Sequence, residues 1–120
     1  MDALSAVVSG WDAGVDALEK EGISFDLAIA QCTVRWSVGS EVLIESSALR
    51  ALRMLWSKWL SHRHQPHRPL WIDARTSTRN FVLHQPEDNL LRTTVSSYAA
   101  VLGGADGIET LPHDFRLGVD

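Results

Sequence analysis

Three short β-rich segments recur along this chain at a near-constant interval, and a stretch of helical periodicity precedes each of them. The strand segments are residues 30–36, 70–75 and 107–112. The helical segments are 3–20, 40–60 and 88–102. Strands that alternate with helices pair in parallel through right-handed crossovers, so the order α-β-α-β-α-β predicts an α/β fold with about three parallel strands. This is the rhythm of a partial (β/α) TIM-type barrel. With 120 residues the chain cannot close such a barrel, which takes roughly 250. We therefore read residues 1–120 as a single partial barrel segment. Its sheet would carry two raw edges and an uncovered face, and these call for another chain or for self-association through the open edges.

The helices are legible from their apolar spacing. Leu4, Val7, Val8, Trp11, Val15 and Leu18 form a stripe for the first, with Gly22 as its stop. Ser24-Phe25-Asp26 opens a short extra turn. Gly39-Ser40 breaks the first strand, and Ser40 is a suitable N-cap for the second helix. That helix carries a buried stripe of Leu49, Leu52, Leu55, Trp56 and Trp59. In the third helix Leu91, Val95, Tyr98, Ala99 and Leu102 keep strict helical spacing, and Gly103-Gly104 ends it. Trp56, Trp59 and Trp71 fall in core-facing patterns, and Trp11 fits its own helical stripe.

Charge and cysteine usage narrow the function classes. A net charge of −4 is the wrong sign for a nucleic-acid surface. One cysteine, Cys32, excludes an internal disulfide and fits a reducing cytosol. No signal-peptide pattern or membrane-spanning apolar run is visible, so the expectation is a cytoplasmic protein without nucleic-acid or membrane partners. His62, His64 and His67 are metal-type ligands in a polar loop. Pro66 breaks their spacing and no carboxylate accompanies them, so a solvated loop and no metal is the expectation.

Active sites of β/α barrels lie at the C-terminal ends of the strands. That rule selects Arg35-Trp36-Ser37, then Asp73 with Arg75-Thr76-Ser77, and His113-Asp114. The substrate-binding candidates are Arg35, Trp36, Arg75, Thr76, Ser77 and His113. Arg35 and Arg75 would anchor an elongated anionic ligand, and Trp36 would line its tunnel. The competing reading makes Asp73 and Arg75 a structural ion pair or loop braces. Arg92 reads as a brace between its helix and the preceding loop.

Longer motifs carry a resemblance. Val38-Gly39-Ser40, Glu45 and the run Leu49-Arg50-Ala51-Leu52-Arg53-Met54-Leu55-Trp56 resemble the fifth βα unit of the methylmalonyl-CoA mutase substrate barrel. Arg75-Thr76-Ser77, Pro86, Asn89, Arg92-Thr93-Thr94, Ala99-Ala100 and Gly103-Gly104-Ala105-Asp106 resemble its sixth. Leu111-Pro112-His113-Asp114 is similar to the end of its seventh strand. The resemblance covers roughly residues 2–118 and is closer to the small, non-cobalamin subunits.

The resemblance implies an isomerase, an intramolecular transferase acting on an acyl-CoA by a radical route with adenosylcobalamin. Two departures change what this chain inherits. The Asp-x-His-x-x-Gly motif that ligates cobalt in the family is absent, so no cofactor is expected on this chain alone. Catalytic members also carry His-x-Gln-Thr-Ser-Gly, in which the imidazole holds the thioester carbonyl. Here Asp73 replaces that His, Arg75 the Gln and Thr78 the Gly. An ionised carboxylate accepts hydrogen bonds and repels a polarised oxygen.

The expectation is thus a barrel segment, inactive alone and structural or small-subunit-like, that partners another mutase chain. Two alternatives stay open: part of an active adenosylcobalamin-dependent mutase completed by other chains, and a self-assembling α/β module without an acyl-CoA role. The end at Asp120, where a further helix is expected, reads as truncation.

Overall fold

A computed structural model describes residues 2–115. The elements run α1 (Ala3–Lys20), α2 (Phe25–Ala30), β1 (Thr33–Val38), α3 (Val42–His62), β2 (Trp71–Thr76), α4 (Asp88–Gly103) and β3 (Gly107–Glu109). The strands form one open parallel sheet in the order β1-β2-β3. This is the expected α/β arrangement, consistent with a partial barrel. In the β2–β3 ladder Asp73 lies opposite Gly107, Ala74 opposite Ile108 and Arg75 opposite Glu109.

Element ends differ from the sequence reading where local caps compete. β-rich composition predicts a first strand over 30–36, but β1 starts at Thr33. The Ser24 side chain accepts from Leu27 N–H and starts a six-residue helix, α2, that claims Phe25–Ala30. A Ser cap of this kind stabilises a first turn by about 1 kcal/mol. At the other end β3 is three residues long, shorter than the expected 107–112. Thr110 and Leu111 leave the ladder, and Leu111 N–H donates to the Thr76 hydroxyl at 2.9 Å instead. Residues 116–120, where the reading of the chain end falls, lie outside the described residues.

The chain divides into two compact units: Met1–Val34 with Leu52–Trp71, and Arg35–Ala51 with Ile72–Asp120. The first is built on aromatic rings. Trp11 and Trp56 meet edge to face with centroids 5.0 Å apart, and Trp56 stacks on Trp59 at 5.2 Å. Phe25 stacks on Trp59 at 6.0 Å, which ties α2 to α3. Each indole N–H of the α3 pair finds an acceptor, as buried Trp requires: Trp56 donates to Arg68 O at 2.8 Å and Trp59 to Asp12 Oδ1 at 3.1 Å.

Arg63 closes this unit on its outer side. Its guanidinium donates to Asp12 at 2.8 Å and to Asp16 at 2.6 Å, and lies 5.6 Å from the Trp59 ring centroid. Asp12 and Asp16 share one face of α1 because they are four residues apart. The hydrogen bonds from Trp59 and Arg63 hold the Asp12 carboxyl below its usual range.

In the second unit α3 and α4 approach closely. A Cβ on Gly103 would stand 2.8 Å from Leu49 Cβ and 2.5 Å from its Cδ1, so only glycine admits this contact. Gly104 then ends α4 in the left-handed conformation at φ 77°, where a side chain is disfavoured. The buried face of α4 is Asn89, Thr93, Ser96, Ala99, Ala100 and Gly103. This corrects the expectation from apolar spacing. Of Leu91, Val95, Tyr98, Ala99 and Leu102, only Ala99 is buried. Small residues let the helices come close, and the large apolar side chains are turned outward.

Trp71 is a second correction. Its pattern predicts a core-facing ring, but it is 53% exposed at the start of β2. Strand alternation decides this: Ile72, Ala74 and Thr76 are the buried set, so Trp71, Asp73 and Arg75 take the other face.

Candidate functional site

The second unit carries the candidate site on the sheet face not occupied by Ile72, Ala74 and Thr76. The same parity operates in β1, where Val34 and Val38 are buried and Arg35 and Ser37 are exposed. Register then sets Asp73 beside Gly107 and Arg75 beside Glu109. Arg35, Asp73, Arg75 and Glu109 line one shallow cavity of about 240 Å³ with Gly107 and Ile108. A neighbouring cavity of about 360 Å³ lies toward the C-terminal strand ends and is lined by Arg35, Ser37, Arg75, Thr76, Thr78 and Phe115 among others.

Arg75 joins the two cavities and is already engaged. Its Nε lies 3.4 Å from Glu109 Oε2. That ion pair does not satisfy Nε as an aligned hydrogen bond, since Nε is buried without such a partner. The guanidinium carbon also sits 5.8 Å from the Phe115 ring centroid, within cation–π range. A half-exposed pair of this kind contributes about 0–1 kcal/mol. It orients Arg75 more than it stabilises the sheet.

The other sequence-selected residues separate by parity. Trp36 lies on the opposite face of β1 from Arg35 and Ser37. Its indole N–H donates to Glu45 Oε2 in the first turn of α3, at 3.3 Å. The Thr76 side chain is 3% exposed, and its hydroxyl accepts from Leu111 N–H. Ser77 N–H continues the β1–β2 pairing by donating to Val38 O at 2.8 Å. The Ser77 hydroxyl accepts from Arg79 N–H at 3.3 Å, within its own turn. His113 is half-buried, and its carbonyl accepts from Asn89 Nδ2 at 2.9 Å. The cavities therefore bring together Arg35, Ser37, Arg75 and the buried Thr76, while Trp36 stands on the far side of its strand. His62, His64 and His67 are all exposed. Among the described residues no group of three His, Cys, Asp or Glu is placed to hold a metal.

Asn89 is the residue whose role spacing alone does not reveal. It is 2% exposed at the start of α4. Its Oδ1 accepts from Val82 N–H at 3.0 Å, and its Nδ2 donates to Val82 O and His113 O, each at 2.9 Å. One amide thus ties the loop after β2 to the segment after β3, the two segments that flank the C-terminal ends of the strands. Its place three residues after Pro86, in the first turn of a helix, and its inclusion in the motif that resembles the sixth βα unit are the sequence signals that mark it. Asp106 plays a similar part at the other end of the sheet, where its carboxylate accepts from Ile72 N–H at 2.8 Å.

Comparison with known proteins identifies the family. The family model for methylmalonyl-CoA mutase matches residues 6–119. The methylmalonyl-CoA mutase small subunit of Streptomyces virginiae is 33% identical over 104 residues, covering 86% of this chain and 17% of the relative. The large subunit from Propionibacterium freudenreichii subsp. shermanii is 29% identical over 121 residues, covering 88% of this chain and 16% of the relative. The probable mitochondrial mutase of Caenorhabditis elegans is 26% identical over 102 residues, covering 82% and 14%. The chain thus spans about a sixth of the length of the relatives it matches. A match over nearly all of its residues, on an open parallel α/β sheet, means that this chain belongs to the methylmalonyl-CoA mutase family.

Proposed function

We propose that this chain serves as a barrel segment of a small-subunit-like mutase chain, inactive by itself and partnered by a large mutase chain. The observation that carries the reading is the charge arrangement on the sheet face. By the resemblance, Asp73 stands where catalytic members carry the carbonyl-holding imidazole, and Arg75 is engaged by Glu109 at 3.4 Å. A carboxylate at that position accepts hydrogen bonds, where holding a thioester carbonyl needs a donor. Similarity to a small subunit supports the choice of partner.

Adenosylcobalamin does not fit the residues present. The cavity at the strand ends offers guanidinium groups and hydroxyls from Arg35, Arg75, Ser37 and Thr78. Guanidinium groups cannot ligate cobalt, because they have no free lone pair. The Asp-x-His-x-x-Gly motif is absent from the 120 residues. The cofactor therefore takes no part in the role proposed for this chain.

The test is turnover. Incubation of the purified chain with adenosylcobalamin and methylmalonyl-CoA is expected to give no succinyl-CoA. Measurable isomerisation by the chain alone would sink the proposal. The same cavity, with Arg35 and Arg75 at its edge, favours a second reading: an acyl-CoA-binding part of an active mutase completed by other chains. Titration with coenzyme A followed by calorimetry separates the two, since saturable binding that is lost in Arg35→Ala supports the second.

A further inference from the structure

Arg75 is held by two groups, both supplied by β3 and the segment after it. Glu109, opposite Arg75 in the β2–β3 register, places Oε2 3.4 Å from its Nε. Phe115 places its ring centroid 5.8 Å from the guanidinium carbon. The segment that carries this ring is pegged at two points. Leu111 N–H donates to the Thr76 hydroxyl and the His113 carbonyl accepts from Asn89 Nδ2, each at 2.9 Å. Phe115 N–H then donates to Pro112 O at 3.2 Å and closes the turn that presents the ring.

The formal charges around this arginine cancel. Arg35 and Arg75 line their shared cavity together with Asp73 and Glu109, so the four groups exert little net pull on an anion. The hold on Arg75 is nonetheless reversible. Its Nε is buried without an aligned hydrogen bond, and the Glu109 side chain is 55% exposed. A half-exposed ion pair and a cation–π contact are each worth a few-fold in an equilibrium, about tenfold together. A phosphate or carboxylate that takes two aligned hydrogen bonds from the guanidinium outcompetes them once it is present in excess.

We propose that Glu109 and Phe115 form an autoinhibitory mask that withholds Arg75 from anionic ligands until an incoming anion displaces them. This deepens the acyl-CoA-binding reading of the same cavity and rests on it. The first measurement needs no ligand. Phenylglyoxal reacts with accessible guanidinium groups, and peptide mass spectrometry gives the rate at each arginine. Exposed Arg79 is the internal reference. Relative to Arg79, Arg75 is expected to react roughly threefold faster or more in Glu109→Gln, and faster still in Glu109→Gln with Phe115→Leu. Equal Arg75 rates in the parent and both variants overturn the mask.

The second measurement is calorimetric titration with inorganic pyrophosphate. In the parent, Arg75→Ala is expected to change binding less than about twofold, because the guanidinium is already occupied. The doubly substituted chain is expected to bind roughly fivefold more tightly or better, and addition of Arg75→Ala to it to remove that gain. If Arg75→Ala weakens the parent as much as the unmasked chain, Arg75 is open to ligand and the proposal is wrong. Faster phenylglyoxal reaction without pyrophosphate binding in any chain upholds the mask and counts instead against the acyl-CoA-binding reading.

Discussion

The two compact units solve the burial problem in opposite ways. The first stacks Trp11, Trp56, Trp59 and Phe25 on one another and seals the outside with Arg63 across two α1 carboxylates. The rings of that cluster are used up internally, while Leu27, Met54 and Trp71 of the same unit stay exposed. The second buries small residues, with Ala99, Ala100 and Gly103 on the inner face of α4 and Gly103 against Leu49, and leaves its large ones outward on that helix. It also presents a charged sheet face through Arg35, Asp73, Arg75 and Glu109. Apolar area turned to water destabilises a chain, so the second unit is the one whose surfaces call for a neighbour. The first has the character of an anchor.

That contrast can be broken most directly at Trp56. Trp56→Ala removes a 2%-exposed ring and the donor to Arg68 O, and is expected to cost about 3–5 kcal/mol. Urea unfolding followed by circular dichroism measures it. A loss under about 1 kcal/mol would mean that the aromatic cluster is not the anchor.

The second unit has its own fixed point in Asn89. Asn89→Ala leaves Val82 N–H, Val82 C=O and His113 C=O without their partner, and should cost about 2–3 kcal/mol. Asn89→Asp keeps the acceptor for Val82 N–H but loses both donated bonds. It should fall between the parent and the alanine variant in the same urea measurement. If both variants match the parent, the loops flanking the strand ends are held by something other than this amide.

The smallest expected effect is a pH dependence located in the first unit. Asp12 has its carboxyl held below the usual range by hydrogen bonds from Trp59 and Arg63. A group depressed in the folded state contributes stability above its unfolded pKa and loses it as pH falls through the folded one. The melting temperature should therefore decline as pH is lowered from about 5 toward 3. Asp12→Asn should flatten that decline, with tryptophan fluorescence as the readout. An identical pH profile in parent and variant would remove Asp12 from the clamp.

Much of this architecture is legible in the order of the residues. The alternation of strands and helices follows from periodicity. So does the placement of Arg35 and Arg75 together, because odd-numbered residues of β1 and β2 share the open side. The same parity argument puts Trp36 on the other side, and buries Thr76, which still lines the cavity at the strand ends. The pairing of Arg75 with Glu109 is not legible, since it depends on a β2–β3 register that nothing local specifies. The start of β1 escapes the pattern because one Ser cap and six residues are too short for a periodic signal. The burial of α4 escapes it for a different reason. Its apolar residues keep helical spacing on two sides, and spacing cannot say which side meets the sheet.

The amino-acid sequence determined the order of the elements, the parity of each strand and the membership of a mutase family, because these rest on local periodicity and on long matched motifs. The tertiary structure alone decided which face of α4 is buried, which carboxylate meets Arg75 and that Asn89 fastens two distant segments. Those outcomes depend on register and on close approach between residues far apart in the chain, and Gly103 against Leu49 is where the approach is set.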